Sequence, residues 1–214
     1  PLLNRIDRPN DIRTMLSDDN FTGKRDLYIY KVFVGLLWEY MRHHDRTGLG
    51  RRLEEPLQGN PILIRRRGRR ISQDLANSIL ELNLIRQHFT KDLATARIAE
   101  LGAGYGRLGH VFHEYSAETR YFIFDIPPAL NVSQYYLSRL FPGERIFRFR
   151  RFGSFDEVRS ELDDCRIAFF TPTQLPLIPD GYFDLCLSIS TLPEMTREQV
   201  EHYLAMLTRT SNHM

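Results

Sequence analysis

The chain has 214 residues, of which 42% are hydrophobic and 26% charged, and its formal net charge is +2 at pH 7. These values are typical of a globular protein with one sizeable core, and so small a charge gives no support for nucleic acid as a partner. The longest apolar run, "VFVGLLW" at 32–38, is far shorter than the roughly 20 residues of a membrane-spanning helix.

The two cysteines, Cys165 and Cys186, both lie inside apolar runs. We interpret them as reduced core residues of a cytoplasmic protein, because neither a disulfide framework nor a metal-ligand spacing is present. The sequence begins at Pro1 without Met and without a basic-then-apolar signal segment. We therefore expect the natural N-terminus to precede Pro1.

Residues 1–95 are predicted to form a helical N-terminal region that covers the substrate. The stretch 26–45 is apolar nearly all round, which predicts a buried helix, and 47–61 is a loop by its Gly and Pro content. Ser72 is a candidate N-cap for the helix that follows it. Between them, "IRRRGRR" at 64–70 is either a solvated loop or a segment that binds the phosphates of a nucleotide-sugar or of a nucleic acid.

From residue 96 onward the pattern alternates between strands and helices. Strands are predicted at 97–101, 120–126 and 182–190 and in "RIFRFRRF" and "CRIAFFTP", and a helix follows Thr196, where Thr196 and Gln199 form a capping box. Alternation of this kind predicts an α/β fold with a doubly wound, mostly parallel, Rossmann-like sheet over 96–214. In such a sheet the ligand lies at the carboxyl ends of the strands.

The glycine-rich segment "AELGAGYGRLGH" at 99–110 fits two ligand classes. Gly104, Gly106 and Gly109 match the GxGxxG loop of a dinucleotide enzyme, which seats a pyrophosphate on a helix N-terminus. Glu100, followed by Gly102 and the glycines at 104 and 106, matches the ExGxGxG loop of an S-adenosylmethionine methyltransferase. A third reading is a glycine-rich turn that binds nothing.

Glu100 and Asp125 bear on the choice. An acid beside the glycines suits the cationic amino-acid end of S-adenosylmethionine and repels a pyrophosphate, and Glu100 lies two positions before the first glycine. Asp125 ends the next strand, where an acid binds both ribose hydroxyls of either ligand. We therefore favour S-adenosylmethionine, with a dinucleotide-dependent sugar oxidoreductase as the alternative enzyme.

Three longer stretches, "ELGAGYGRLGHVF", "FDIPPALNVSQYYLSRLFP" and "FDLCLSISTLPEM", together resemble the sugar O-methyltransferases, a class I group that depends on S-adenosylmethionine. "GNP" at 59–61 and "ISQDLANSILE" at 71–81 resemble the N-terminal part of that family. The resemblance implies methyl transfer to a hydroxyl of a sugar or saccharide intermediate. The expected cofactor contacts are Glu100, Gly102, Ala103, Gly104, Gly106, Asp125, Ile126, Gln174 and Ser188.

Glu194 is the candidate catalytic base or substrate anchor, because it follows the carboxyl end of the 182–190 strand. Its alternative role is to cap the helix that begins after Thr196. Gln174 is the preferred adenine contact, since its amide can both donate and accept. His110 and His113 lie one helical turn apart, and without a third ligand nearby we interpret them as a solvated helix face and expect no metal.

The class I sheet that the resemblance implies needs more strands than the chain supplies before Met214, since "RTSNHM" holds no apolar run. We therefore expect an incomplete methyltransferase core whose strand at 182–190 has an unpaired edge and mediates self-association. A non-catalytic binding protein that keeps the methyltransferase fold is the alternative outside enzymology.

Overall fold

The computed structural model describes residues 24–213. The chain divides into two compact units, one that ends at His88 and one that begins at Phe89. Within the described residues, no helix is both long and apolar enough to cross a membrane.

The first unit combines three helices with a β-hairpin. The helices are α1 (Lys24–His44), α2 (Leu49–Arg52) and α3 (Gln73–His88), and the hairpin strands are β1 (Ile64–Arg66) and β2 (Arg69–Ile71). The predicted N-cap of α3 is confirmed, because the hydroxyl of Ser72 accepts a hydrogen bond from the N–H of Leu75 at 3.0 Å.

The prediction that residues 26–45 form a fully buried helix is wrong for one face of α1. Val34, Trp38 and Met41 recur at helical spacing and are buried, and α1 packs on α3. The opposite face exposes Leu36 to 67% of its surface. The apolar residues exposed with it are Tyr28, Ile29, Val32, Phe33 and Tyr40. Among residues 24–88, α1 therefore contributes to the core through its face toward α3.

The arginine run at 64–70 is a hairpin and not a loop. Arg67 and Gly68 both have positive φ, as a tight hairpin turn requires, and β1 pairs antiparallel with β2. Arg66 forms an ion pair with Glu39 at 2.9 Å. Arg69 donates to the carbonyl of Gly50 at 3.0 Å. Two of the arginines thus stabilise this unit directly.

The second unit is a doubly wound α/β structure built on a five-stranded sheet. Its strands are β3 (Arg97–Leu101), β4 (Arg120–Phe124), β5 (Ile146–Phe147), β6 (Ile167–Phe170) and β7 (Leu185–Leu187). Every pairing is parallel and the order is β5-β6-β4-β3-β7. The helices are α4 (Arg107–Tyr115), α5 (Pro127–Leu140), α6 (Arg159–Asp164) and α7 (Arg197–Thr210). The predicted fold class is confirmed, with β5 and β7 shorter than expected.

Alternate residues of the strands face opposite sides of this sheet. Phe122, Phe124 and Phe170 share a buried cluster with Leu162 of α6 and Leu207 of α7. On the other face the ring of Tyr121 lies 5.2 Å from that of Phe112 in α4. Both faces of the parallel strands are therefore covered, which explains their continuous apolar sequences.

His110 is buried and His113 is half-buried on α4, which corrects their interpretation as a solvated face. The ring of His110 packs against Tyr136 and Phe141. Burial lowers the pKa of His110 to about 4, and burial together with the charge of Arg166 lowers that of His113 to about 4. No group of three metal-ligating side chains occurs among the described residues.

The outer edge of β7 is not bare, contrary to expectation. The N–H of Phe183 donates to the carbonyl of Thr210 at 2.9 Å, and the carbonyl of Phe183 accepts from the N–H of Asn212 at 3.2 Å. The N–H of Cys186 donates to the carbonyl of His213 at 3.0 Å. The segment after α7 pairs in parallel with this strand although it lacks an apolar run, because backbone groups form the ladder whatever the side chains are. The argument for self-association through residues 182–190 loses this basis, and self-association stays a prediction.

The capping box of α7 offers a test of local stability. The hydroxyl of Thr196 accepts from the N–H of Gln199 at 3.3 Å, and Gln199 Oε1 accepts from the N–H of Thr196 at 2.9 Å. We expect Thr196→Ala to lower the free energy of unfolding, measured in urea, by about 1 kcal/mol. Thr208→Ala, at an exposed site of the same helix, is the matched control. Equal losses in the two variants would contradict a role for the cap.

Candidate functional site

The candidate site lies where β3, β4 and β7 end, the point at which the chain reverses its direction across the sheet. It passes from β3 to β4 and then to β5 and β6 on the same side of β3, and crosses to the other side of β3 as β7. The loops that follow β3 and β7 therefore meet at one edge. In doubly wound sheets this switch point is where ligands bind.

Three glycines after β3 adopt backbone conformations that other residues rarely tolerate. Gly102, Gly104 and Gly106 have φ values of 78°, 59° and 87°. A Cβ built on Gly104 would meet no atom within 4 Å, whereas one built on Gly106 would lie 2.9 Å from Leu137. The loop is thus packed against protein at its C-terminal glycine and open at Gly104.

The three glycine N–H groups all donate to acceptors within the protein. Gly102 donates to the carbonyl of Phe124 at 2.8 Å, and Gly106 donates to that of Ala103 at 3.0 Å. Gly104 donates to Asp125 Oδ2 at 2.8 Å. None of these three groups is left to bind a phosphate, which is the role that a dinucleotide loop gives to its backbone.

Asp125 connects the glycine loop to the start of α5. Its Oδ1 accepts from the N–H of Ile126 at 2.7 Å, while its Oδ2 holds Gly104. Burial raises the pKa of this carboxyl, and the charge of Glu194 raises it further. Each carboxylate oxygen can accept a second hydrogen bond, so two further donors can be bound here. Ile126, the next residue, is 60% exposed and offers an apolar surface beside the carboxylate.

Glu100 lies at the end of β3 and is buried. Its Oε2 accepts a hydrogen bond from the hydroxyl of Tyr121 at 2.7 Å. Ala103 is buried within the glycine loop. Sequence reasoning did not identify Tyr121 as the partner of Glu100, because the pairing depends on the register of β3 against β4.

Gln174 follows β6, beside β4, but both ends of its amide are engaged. Oε1 accepts from the N–H of Thr171 at 3.0 Å, and Nε2 donates to the carbonyl of Arg150 at 2.9 Å. Gln174 thereby caps the short 3-10 helix Pro172–Leu177. Its role as an adenine contact stays a prediction, and an adenine there would share an amide already used for structure.

The chain between β7 and α7 carries Ser188 and Glu194. The hydroxyl of Ser188 is buried and has no hydrogen-bond partner within residues 24–213. Glu194 ends the 3-10 helix Leu192–Glu194 and is exposed. The cap of α7 is made by Thr196 and Gln199. The alternative role of Glu194, capping this helix, is therefore wrong.

Sequence reasoning missed Thr191 and Ser190 in this segment. The hydroxyl of Thr191 donates to the carbonyl of Gly102 at 3.1 Å. Ser190 has a φ of 61°, which is unusual for a residue with a side chain. Such a backbone conformation leaves no clear pattern in the sequence.

No protein-family model matches the chain, and no curated protein matches it. Among solved structures, the pyocyanin biosynthetic protein PhzM is 16% identical, with a TM-score of 0.33, over 56% of this chain and 32% of that one. The mitomycin 7-O-methyltransferase MmcR is 16% identical, with a TM-score of 0.38, over 82% of this chain and 46% of that one. The chain thus spans less than half the length of either protein.

The different surroundings of two glycines give a test of the loop. A Cβ on Gly102 would lie 2.0 Å from Thr191 Oγ1, whereas one on Gly104 would meet open space. We expect Gly104→Ala to lower the free energy of unfolding by about 1–2 kcal/mol, because alanine is strained at this positive φ. Gly102→Ala should cost about 1–3 kcal/mol more, because Thr191 must also move. Urea unfolding measures both.

Gly143→Ala is the matched control, because a Cβ there would meet nothing within 4 Å and no positive φ is involved. This variant should unfold like the wild type. Equal effects of the Gly102 and Gly104 substitutions would contradict the packing of Thr191 against the loop.

Proposed function

We propose that the chain binds S-adenosylmethionine at the glycine loop and transfers its methyl group to a hydroxyl of a sugar or saccharide intermediate in the cytoplasm. The single observation that carries the proposal is the carboxylate of Asp125, bonded to the N–H groups of Gly104 and Ile126 below an open glycine. The sugar acceptor rests on the family resemblance of the sequence.

The residues around the glycine loop fit an adenosine ligand. The free lone pairs of Asp125 can accept both ribose hydroxyls, and exposed Ile126 offers an apolar face to adenine. The open side of Gly104 lets a ligand approach the backbone, and the unpartnered hydroxyl of Ser188 is available for a further hydrogen bond. When bound, S-adenosylmethionine would supply a methyl group activated by its sulfonium charge.

Charge favours S-adenosylmethionine over a dinucleotide. Asp125 and Glu194 interact electrostatically, so two carboxylates lie near the loop and would repel a pyrophosphate. The same two charges attract a sulfonium and an ammonium group. The three glycine N–H groups are already bonded, so they are not available to a phosphate.

Glu194 would act on the acceptor. Methyl transfer is an in-line displacement, so the protein must hold the hydroxyl oxygen in line and remove its proton. The exposed carboxylate of Glu194, at the carboxyl end of β7, would take that proton on one of its Oε atoms. The acceptor stays bound by the residues around it while the proton moves.

Titration calorimetry of the wild-type chain with S-adenosylmethionine, S-adenosylhomocysteine and NAD(P) tests the ligand class. We expect the first two to bind and the nucleotides not to bind. Binding of NAD(P) alone would favour the oxidoreductase. Failure of every adenosine ligand to bind would favour a non-catalytic protein of this fold.

Asp125→Ala should weaken the binding of S-adenosylmethionine by more than fivefold, because hydrogen bonds to a charged group contribute roughly 1.5–3 kcal/mol. Asp156→Ala is the matched control, since Asp156 is an exposed acid that forms an ion pair with Arg159. An affinity within twofold of the wild type for Asp125→Ala would remove this residue from the site.

The affinity of the wild type should also depend on pH. Ribose hydroxyls need the ionised form of Asp125, so affinity is constant at neutral pH and falls as the pH drops through its pKa. Because that pKa is raised, the loss begins at a higher pH than an ordinary carboxyl would give. A pH-independent affinity down to the usual carboxyl range would contradict this assignment.

Glu194→Gln should lower kcat by roughly 10²-fold or more with little change in the dissociation constant of S-adenosylmethionine. The acceptor for this assay would come from a screen of nucleotide-sugars for uptake of labelled methyl. Glu198→Gln, at an exposed position of α7, is the control. Unchanged turnover in Glu194→Gln would leave the base unassigned.

A further inference from the structure

The turn between β7 and the 3-10 helix Leu192–Glu194 is hydrogen-bonded to the glycine loop through one side chain, that of Thr191. Thr191 Oγ1 lies 3.1 Å from the carbonyl of Gly102 and 3.3 Å from that of Ile189. A hydroxyl has a single proton, and the shorter contact joins two loops that are far apart in sequence. Thr191 is therefore a physical link between the loops after β3 and β7.

Gly102 is shaped to receive this side chain. Its φ of 78° turns the backbone so that the space of a Cβ is taken by Thr191, whose Oγ1, Cγ2 and Cβ would lie 2.0, 2.4 and 2.6 Å away. Real Cβ contacts are never that short, so the Thr191 side chain fits against Gly102 because position 102 has no Cβ. The link therefore rests on shape as well as on a hydrogen bond.

The backbone before Thr191 is held in a costly conformation. Ser190 has a φ of 61°, and a left-handed conformation costs a residue with a side chain roughly 1–2 kcal/mol. Such conformations persist where the surrounding contacts determine them, and they are concentrated at functional sites. Here the bond from Thr191 to Gly102 immediately follows Ser190 and holds the turn in place.

Thr191 also begins the turn that carries Glu194. The N–H of Glu194 donates to the carbonyl of Thr191 at 3.1 Å. Thr191 is the N-cap of this 3-10 helix, yet its side chain makes no capping bond within it, because the hydroxyl points back to Gly102. Thr191 thus contacts the glycine loop with its side chain and Glu194 with its backbone.

We propose that Thr191 is a positioning residue that sets Glu194 in register with the glycine loop, so that the acceptor and the methyl donor are held at a fixed separation. This inference rests on the proposed function of the site. Thr191 need not touch either ligand. It acts through Gly102 on one side and through Glu194 on the other.

The test compares Thr191→Val with Thr191→Ser. Valine keeps the shape that fills the space beside Gly102 but removes the hydroxyl, whereas serine keeps the hydroxyl. We expect Thr191→Val to lower kcat about tenfold, the equivalent of one lost hydrogen bond, and to weaken S-adenosylmethionine binding by a smaller factor. Thr191→Ser should keep both values within about threefold of the wild type.

A second readout does not require turnover. The charge of Glu194 raises the pKa of Asp125, whereas the hydrogen bonds from the N–H groups of Gly104 and Ile126 lower it. If Glu194 moves away in Thr191→Val, the pKa of Asp125 falls, and the loss of S-adenosylmethionine binding on acidification shifts to lower pH. Glu194→Gln should produce the same shift, and adding Thr191→Val to it should produce no more.

The outcomes separate the inference from the function beneath it. A wild type that does not bind S-adenosylmethionine overturns the proposed function, and this inference with it. A wild type that binds, together with a Thr191→Val variant that matches it in affinity, pH profile and turnover, overturns the inference alone. A lower melting temperature in Thr191→Val with unchanged binding and turnover of the folded protein also overturns it, because that is the result of a purely structural hydroxyl.

Discussion

The two hydrogen bonds accepted by the carboxylate of Asp125 are the contact on which the site depends. They join the glycine loop after β3 to the beginning of α5 after β4, so the ends of two adjacent strands are fixed by one side chain. The parallel register of Leu101 against Phe124 brings them to the same level. Burial of this charge is unfavourable unless hydrogen bonds compensate for it, and each carboxylate oxygen still has a lone pair for a further hydrogen bond.

Much of the second unit could be predicted because its local and global signals agree. The apolar run at 97–101 and the following glycines predict a strand and a tight turn, and both are present; Pro127 and Pro128 begin α5 as their missing N–H groups favour. The extent of β5 could not be predicted, because the alternation of basic and apolar residues in "RIFRFRRF" occurs both in paired strands and in extended chain that pairs with no strand. His110 was misjudged since burial depends on α5, a neighbour that the α4 sequence does not reveal.

The first unit departed further from expectation for a related reason. Helix α1 is apolar around its circumference, yet within the described part of this unit its buried large side chains form one stripe of Val34, Trp38 and Met41. The arginines at 64–70 carry a charge pattern typical of a solvated segment, but Arg67 and Gly68 can both adopt positive φ and close a hairpin. Composition measures average preference, whereas these outcomes depend on which partner each face meets.

Within the candidate site, the positions of residues at the strand ends were more predictable than the contacts that hold the loops together. Asp125 and the glycines follow from strand ends and backbone freedom, which are local. Thr191 and Tyr121 act through Gly102 and Glu100, and these pairings exist only after β3 has been aligned with β7 and β4. The N–H groups of Gly102, Gly104 and Gly106 already donate to Phe124, Asp125 and Ala103, so the glycine loop presents an open surface beside an acid and not three unpaired amides. A glycine-rich motif is therefore assigned by where its amides point, which spacing alone does not determine.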